Sequence, residues 1–170
     1  MVFHDEEGTI ASVRNEVASQ AKGEWLLFLD ADDELSPGFL DAMATTYARA
    51  REYERGHFLL TPAVQQIRKG KPGKPFFFPE CDFTTGNWIV VGTLVEREFF
   101  HEVGGFREFS HGLEDWNLWA RCVRVGAKPV KVPKAIYRAY FNSRSKHHVF
   151  MRDRKAYMVE YEAARVDAWG

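Results

Sequence analysis

The clearest hydrophobic pattern in the chain is a run of five apolar residues that ends abruptly in acid. Residues 25–29 read Trp-Leu-Leu-Phe-Leu, and Asp30, Asp32 and Asp33 follow at once. A continuous apolar run of this length predicts a strand that is buried on both faces. Because ligands of open α/β sheets bind at the carboxyl ends of such strands, we expect the acidic residues in a polar crevice.

Helical periodicity flanks this strand. Before it, apolar residues recur at spacings of three and four: Ile10, Val13, Val17 and Ala21. Thr9 or Ser12 is placed to cap that helix, and Gly23 to end it. After the strand, Ser36-Pro37 predicts the start of a second helix that runs to about Arg55.

The rest of the chain also alternates between predicted strands and predicted helices. Strands are predicted at 57–62, 87–95, 129–132 and 135–140, helices at 97–103 and from residue 114, a basic loop at 67–75 and a turn at 104–106. The closing segment, 150–170, is helical in pattern and is expected to be a surface helix or an oligomer contact. The prediction is one α/β domain over residues 1–170, with a mixed sheet flanked by helices and residues 1–8 as the end of a strand.

Composition supports a folded globule and narrows its partners. The chain has 170 residues, 45% of them hydrophobic, which suffices for one core. A net charge of −1 gives no reason to expect nucleic acid or an anionic membrane as a partner. Cys81 and Cys122 lack metal-ligand spacing, and neither a membrane span nor a signal peptide is evident. We therefore expect a soluble, cytoplasmic protein.

The first acidic cluster carries candidate metal chemistry. If strand geometry continues past Leu29, Asp30 and Asp32 point to the same side and repel each other. A hard divalent cation, Mn or Mg, that also holds the phosphates of a substrate would relieve this repulsion. The alternative is an Asp-rich turn that caps the next helix.

Two further pairs of residues lie at helix N-termini. Arg14 and Asn15 lie near the first turn of the first helix, which suits anion binding, but this segment alone favours the alternative that Arg14 is a solvated surface residue. Glu114 and Asp115 begin a later helix, whose positive end stabilises a carboxylate and lowers its pKa. Trp116 on that helix suits stacking on a sugar ring or burial in the core.

These motifs resemble a known family. The segments Val13-Arg14-Asn15 and Ala21-Lys22-Gly23-Glu24-Trp25-Leu26-Leu27-Phe28-Leu29-Asp30-Ala31-Asp32-Asp33 resemble the signature of family 2 glycosyltransferases with the GT-A fold. The resemblance implies that Asp30 and Asp32, the DxD motif, meet the ribose and the divalent metal of a nucleotide-diphosphate sugar. It also implies that Arg14 and Asn15 lie near the nucleotide.

The second half of the chain resembles the same family. Gly92-Thr93, then Gly104-Gly105-Phe106, then Glu114-Asp115 opening a helix follow the family's order, in which a residue of the ED pair is the general base. We assign the base to Asp115, with Glu114 as the second choice. Gly92, Thr93 and Trp116 are then expected to shape the donor and acceptor pocket.

One position departs from the family pattern. Tyr140 stands where the resemblance leads us to expect a histidine that reaches the metal. Either that ligand is lost, or His147 or His148 supplies it.

The leading hypothesis is a metal-dependent, inverting glycosyltransferase that moves a sugar from a nucleotide-diphosphate donor to an acceptor hydroxyl of a glycan, lipid or protein. Family members begin with units that bind the nucleotide base, and this sequence starts after them. Three possibilities follow: another copy or a partner chain covers the exposed sheet edge, the chain is a compact self-sufficient variant, or it is a degenerate piece that does not catalyse. The rival hypothesis is a non-catalytic nucleotide- or sugar-binding subunit that completes a partner's site. A metal-dependent phosphohydrolase is a weaker third interpretation.

Overall fold

The computed structural model describes residues 8–141 and 154–170. Its elements, in chain order, are α1 (Ile10–Gln20), β1 (Trp25–Leu26), β2 (Glu34–Leu35), α2 (Phe39–Tyr53), β3 (Phe58–Arg68), β4 (Lys71–Pro72), β5 (Val95–Glu96), α3 (Arg97–Glu102), α4 (Glu114–Arg124), β6 (Lys128–Phe141) and α5 (Arg154–Trp169). The predicted class, a mixed sheet flanked by helices with a helix at the C-terminal end, is confirmed.

The main sheet has four strands in the order β2-β6-β3-β4. β3 and β6 are parallel, whereas β2 and β4 pair antiparallel at the two edges. The register shifts once, because Pro62 lies opposite Val132 but Ala63 lies opposite Ile136. The strands predicted at 129–132 and 135–140 are therefore one strand with an irregularity between them.

The run at residues 25–29 forms less strand than expected. Only Trp25–Leu26 is paired, antiparallel to β5. Leu26 and Phe28 pack into one hydrophobic cluster, and Trp25 and Leu27 pack against another. Burial on both faces thus holds for the first four residues and fails at Leu29, which is 46% exposed. The run lies between two cores rather than inside one sheet.

The first core is built mainly by α1, α3, α4 and α5. Trp119 and Leu118 of α4 are completely buried in it. Helix α5 packs on α4, where the Asn117 side-chain amide donates to the Ala164 carbonyl at 2.9 Å. α5 is therefore docked in the chain's own core, while Met158, Val159 and Val166 remain exposed on its outer side. A role in oligomer contacts stays a prediction.

The strand predicted at 87–95 is wrong for residues 87–93, whereas Val95 lies in β5. Residues 87–93 form a loop in which the Asn87 side-chain oxygen accepts from the Ile89 amide at 2.9 Å, and the Thr93 amide donates to the Val90 carbonyl at 3.1 Å. Ile89 and Thr93 are nonetheless buried. The apolar run reflects burial of a loop whose backbone bonds are satisfied locally, and periodicity cannot tell such a loop from a strand.

The basic loop predicted at 67–75 is mostly a β-hairpin. β3 and β4 pair across Lys69 and Gly70, whose φ values are 51° and 73°. Two successive residues with positive φ are typical of the tight turns that join hairpin strands.

None of the helices formed by residues 8–141 and 154–170 has the length and apolar character that a membrane span needs.

Gly92 is the tightest position in the buried loop. A Cβ atom on it would lie 2.1 Å from the ring of Tyr137, which is itself buried. Gly92→Ala should therefore lower the free energy of unfolding by about 1–3 kcal/mol, the usual cost of overpacking. Urea denaturation measures this, with Gly73→Ala as the matched control, because a Cβ there meets its nearest neighbour at 3.4 Å. Equal stability of the two variants would contradict the packing described here.

Candidate active site

The two acidic motifs meet on one arginine. Arg14 Nη2 donates to Asp30 Oδ1 at 2.6 Å, and Arg14 Nη1 donates to Glu114 Oε1 at 3.1 Å. The Arg14 side chain is only 14% exposed and that of Glu114 only 9%, whereas that of Asp30 is 44% exposed. The structure thus brings three predicted site residues together, and Arg14 is not a solvated surface residue.

Helix α1 holds Arg14 in place. Thr9 caps the helix as predicted, accepting from the Ser12 amide at 3.1 Å. One turn into the helix, the Asn15 side chain donates to the Phe106 carbonyl and accepts from the Phe106 amide, both at 2.8 Å. The guanidinium carbon of Arg14 lies 5.3 Å from the centre of the Phe106 ring. The turn before α4 therefore fixes both residues of the predicted Arg-Asn pair.

The face that α1 buries is not the predicted one. Ala11 and Ala18 are buried, whereas Val17 is 43% exposed. The larger apolar residues of α1 instead line a groove of about 510 Å³ that ends at Arg14 and Asp30. The small side chains of Ala11 and Ala18 allow α1 to approach the core closely. The larger side chains of Ile10, Val13 and Val17 therefore face the groove.

The DxD segment is a turn rather than a continued strand. The Asp33 amide donates to the Asp30 carbonyl at 3.0 Å, so strand geometry, the condition under which Asp30 and Asp32 were expected to point to the same side, does not continue past Leu29. Asp32 is exposed at this turn. Strand geometry ends because no neighbouring strand of the described residues pairs with 27–30.

Asp33 was missed by the sequence analysis. Its carboxylate accepts from the Tyr140 amide at 2.9 Å and from the Tyr137 hydroxyl, which ties the DxD turn to β6. Burial raises the pKa of Asp33, and the bonds from Tyr140 and Tyr137 oppose the rise. The third acid of the cluster was the available signal, but its partners lie too far along the chain to be deduced from the sequence.

Asp115 lies beside Glu114 at the start of α4. Its Oδ1 accepts from the Trp116 amide at 2.6 Å, and its Oδ2 accepts from the Asn87 side chain at 3.4 Å. Burial, and then the charge of Glu114, raise the pKa of Asp115 from its usual value of 3.8 to about 7. The expected lowering by the helix end is wrong for Asp115, because desolvation and a neighbouring carboxylate outweigh it. A carboxyl that titrates near neutrality suits general acid–base chemistry.

Several other predicted site residues lie in the interior. Thr93 is fully buried and its hydroxyl donates to the Thr61 hydroxyl at 3.0 Å. Trp116 is 3% exposed, donates to the Phe83 carbonyl and stacks on Tyr161 at 4.5 Å. With Gly92 packed against Tyr137 and Asn15 bound to Phe106, all four have structural contacts. Their assignment to the donor or acceptor pocket stays a prediction.

The position of the expected histidine is occupied by Tyr140. Its backbone supports Asp33, its hydroxyl bonds to Glu34, and the residue is 37% exposed. His147, the alternative metal ligand, lies outside the described residues, so its role stays a prediction.

The chemistry of the acidic turn fits a hard divalent cation in part. Asp30 and Asp32 offer carboxylate oxygens, which such cations prefer. Within residues 8–141 and 154–170, however, no group of three or more His, Cys, Asp or Glu side chains is arranged to hold a metal ion. The remaining ligands of a coordination sphere would have to come from a bound substrate, from water or from residues outside the described ranges.

Comparisons with known proteins agree with the motifs. The family model of glycosyl transferase family 2 matches residues 1–59. The chain is 26% identical over 136 residues to the O-antigen biosynthesis protein RfbC of Myxococcus xanthus, covering 78% of this chain and 10% of that protein. It is 24% identical over 132 residues to an uncharacterized glycosyltransferase of Rickettsia felis, covering 72% of this chain and 22% of that protein.

Solved structures share the fold. The crystal structure of GalNAc-T7 with UDP, GalNAc and Mn²⁺ matches with a TM-score of 0.64 at 14% identity, over 96% of this chain and 38% of that chain. The structure of TarS from S. aureus matches with a TM-score of 0.59 at 18% identity, over 84% of this chain and 26% of that chain.

The fold and the comparisons together support a glycosyltransferase domain. The chain is similar to glycosyl transferase family 2 over residues 1–59, about a third of its length, and it shares the GT-A fold, as the motifs predicted. The chain spans about a tenth and about a fifth of the lengths of the two curated relatives.

The raised pKa of Asp115 predicts a pH dependence of stability. Because the folded state disfavours the ionised carboxyl, the chain loses stability at this site as pH rises from about 4 to about 7. Asp115→Asn cannot ionise, so its stability relative to the unsubstituted chain should increase between pH 5 and pH 8. Urea denaturation of both proteins at the two pH values measures this, and a constant difference would contradict the raised pKa.

Proposed function

We propose that the chain is a metal-dependent, inverting glycosyltransferase that moves a sugar from a nucleotide-diphosphate donor to an acceptor hydroxyl. The observation that carries the proposal is the meeting of the DxD turn and the ED pair on Arg14. One motif suits the binding of a charged leaving group and the other suits proton transfer. Their proximity supports a single site in which both operate.

Asp30 and Asp32 form the donor side of this proposed site. When bound there, a divalent cation supplies Lewis-acid stabilisation of the departing diphosphate. Asp32 is exposed and available for such a role, while Asp30 is shared with Arg14. Mn²⁺ accompanies UDP in the GalNAc-T7 structure, which supports a divalent cation in the present chain.

Asp115 is the proposed general base. Its ionised carboxylate removes the proton of the acceptor hydroxyl as that oxygen forms a bond to the anomeric carbon of the sugar. The bond from that carbon to the diphosphate oxygen breaks on the opposite side, so the configuration inverts and the nucleoside diphosphate leaves. Glu114 is less suited to this step, because Arg14 occupies one of its oxygens at 3.1 Å and its side chain is 9% exposed.

The partners follow from this reaction. The donor is a nucleotide-diphosphate sugar and the acceptor is a hydroxyl of a glycan. The relative from Myxococcus xanthus is named for O-antigen biosynthesis, which supports a glycan as acceptor.

One observation favours a second candidate function, a binding subunit that completes a partner's site. The groove beside Arg14 is lined by apolar side chains of α1 and of residues 27–29, of which Val17 and Leu29 are exposed. A surface of this kind is typical of an interface. Turnover by the purified chain alone would exclude this candidate.

Substitution at the acidic motifs tests the proposed roles. Asp115→Asn should lower kcat by about 10²–10⁴-fold, the usual contribution of a general base. Asp32→Asn should abolish the dependence of turnover on added Mn²⁺. Release of nucleoside diphosphate is measured with and without acceptor. Asp41→Asn is the control, because Asp41 is an exposed acid in the first turn of α2.

Two results would contradict these roles. Full turnover in both Asp115→Asn and Asp32→Asn would contradict the roles assigned to these two residues. Release of phosphate or pyrophosphate without transfer to an acceptor would favour a phosphohydrolase instead.

The pH dependence of turnover is a further prediction. Because the base must be ionised, kcat/KM should rise with pH through an apparent pKa near 7. Initial rates between pH 5 and pH 9 at saturating metal measure it. A profile that falls over this range would contradict the role of Asp115.

A further inference from the structure

Arg14 stands between carboxylates that come from two distant segments. Its two terminal nitrogens serve different partners, Asp30 at 2.6 Å and Glu114 at 3.1 Å. A planar guanidinium suits this geometry because its donors point in fixed directions, whereas an ammonium group is a single point charge. The arrangement joins the two motifs in one chain of ion pairs.

We propose that Arg14 is a positioning residue, whose guanidinium holds Glu114 and Asp30 and thereby sets the charge that the carboxyl of Asp115 meets. This inference rests on the proposed function, in which Asp115 is the base. It differs from the role that the family resemblance implies, which is a contact to the nucleotide.

The charges around Asp115 support this role. Glu114 on the same helix and Asp30 on the DxD turn disfavour its ionisation, whereas Arg14 on α1 favours it. Burial, which is the larger cause, and then the charge of Asp115 raise the pKa of Tyr157 on α5. The neutral side-chain amide of Asn87 lies 3.4 Å from Asp115 Oδ2. Among the described groups that act on Asp115, the positive charge is that of Arg14. Removing it leaves Asp115 facing two uncompensated carboxylates.

The surroundings of Arg14 also suit positioning. The bonds of Asn15 to Phe106 fix the helix turn that carries Arg14, and the Phe106 ring lies against the guanidinium. With its side chain 14% exposed and both terminal nitrogens bonded to carboxylates, Arg14 is held on protein partners. Its geometry is therefore set before any substrate binds.

The test titrates Asp115 in the metal-free protein. Carboxyl ¹³C NMR follows the pKa of Asp115, with the resonance assigned by its loss in Asp115→Asn. Arg14→Gln should raise this pKa by about one pH unit or more, the usual effect of a nearby charge. Arg14→Lys keeps the charge but cannot bridge both carboxylates. The pKa of Asp115 in this variant should therefore lie between its values in the unsubstituted protein and in Arg14→Gln. Arg165→Gln, which removes an exposed arginine paired with Glu162, is the control and should change nothing.

Activity separates positioning from nucleotide binding. If Arg14 positions the ED pair, Arg14→Gln moves the rising limb of the pH–kcat profile to higher pH, even where the loss of its bond to Asp30 also raises the KM for donor. An unchanged pKa of Asp115 in a folded Arg14→Gln protein would overturn the inference. A raised donor KM with an unchanged pH profile would overturn it too, in favour of a nucleotide contact.

Two safeguards keep the result interpretable. If circular dichroism shows that Arg14→Gln does not fold, the comparison rests on Arg14→Lys, where an unchanged pKa and pH profile would overturn the inference. Because the titration needs neither metal nor donor, a shifted pKa without transfer in any variant would overturn the proposed function and support the electrostatic role of Arg14.

Discussion

A buried positive charge between carboxylates is the constraint on which the rest of this structure depends. Asp30 comes from one part of the chain and the adjacent Glu114 and Asp115 from another, and their charges repel at close range. Arg14 bonds to two of them and acts electrostatically on the third. The position of α1 is therefore coupled to both motifs, because any shift of that helix would separate the guanidinium from at least one carboxylate.

The scaffold is arranged to keep Arg14 in place. One core packs α1, α3, α4 and α5 around the buried Trp119, and the other packs α2 against the main sheet. Arg121 of α4 donates to the Gly105 carbonyl at 2.5 Å, and Asn15 binds the adjoining Phe106. The turn at 104–106 is thus bonded to α1 through Asn15 and to α4 through Arg121.

The helices and the acidic motifs were predictable from the sequence because their signals are local. The Thr9 cap, the start of α4 at Glu114 and the turn at Gly104-Gly105 each depend on neighbouring residues. The loop at 87–93 was not predictable, because an apolar run reports burial and says nothing about which backbone groups pair. The strand at 25–29 was overestimated for the same reason.

Within the site, the chemistry of individual residues was predictable and their mutual environment was not. The sequence marked Arg14, Asp30 and Asp115 as candidates, but it does not show which carboxylates share the guanidinium. The pKa of Asp115 was predicted with the wrong sign, because the helix end is visible in the sequence and the burial is not. Asp33 was passed over since both of its partners, Tyr137 and Tyr140, lie on β6.

The central claim is that the DxD turn and the ED pair form one donor site. Calorimetric titration of UDP and other nucleoside diphosphates into the chain, with and without Mn²⁺, tests it most directly. We expect one nucleotide to bind only when the metal is present, and we expect this binding to be lost in Asp32→Asn. Binding that is independent of the metal, or equal in Asp32→Asn, would contradict it, as would the absence of binding by every nucleotide.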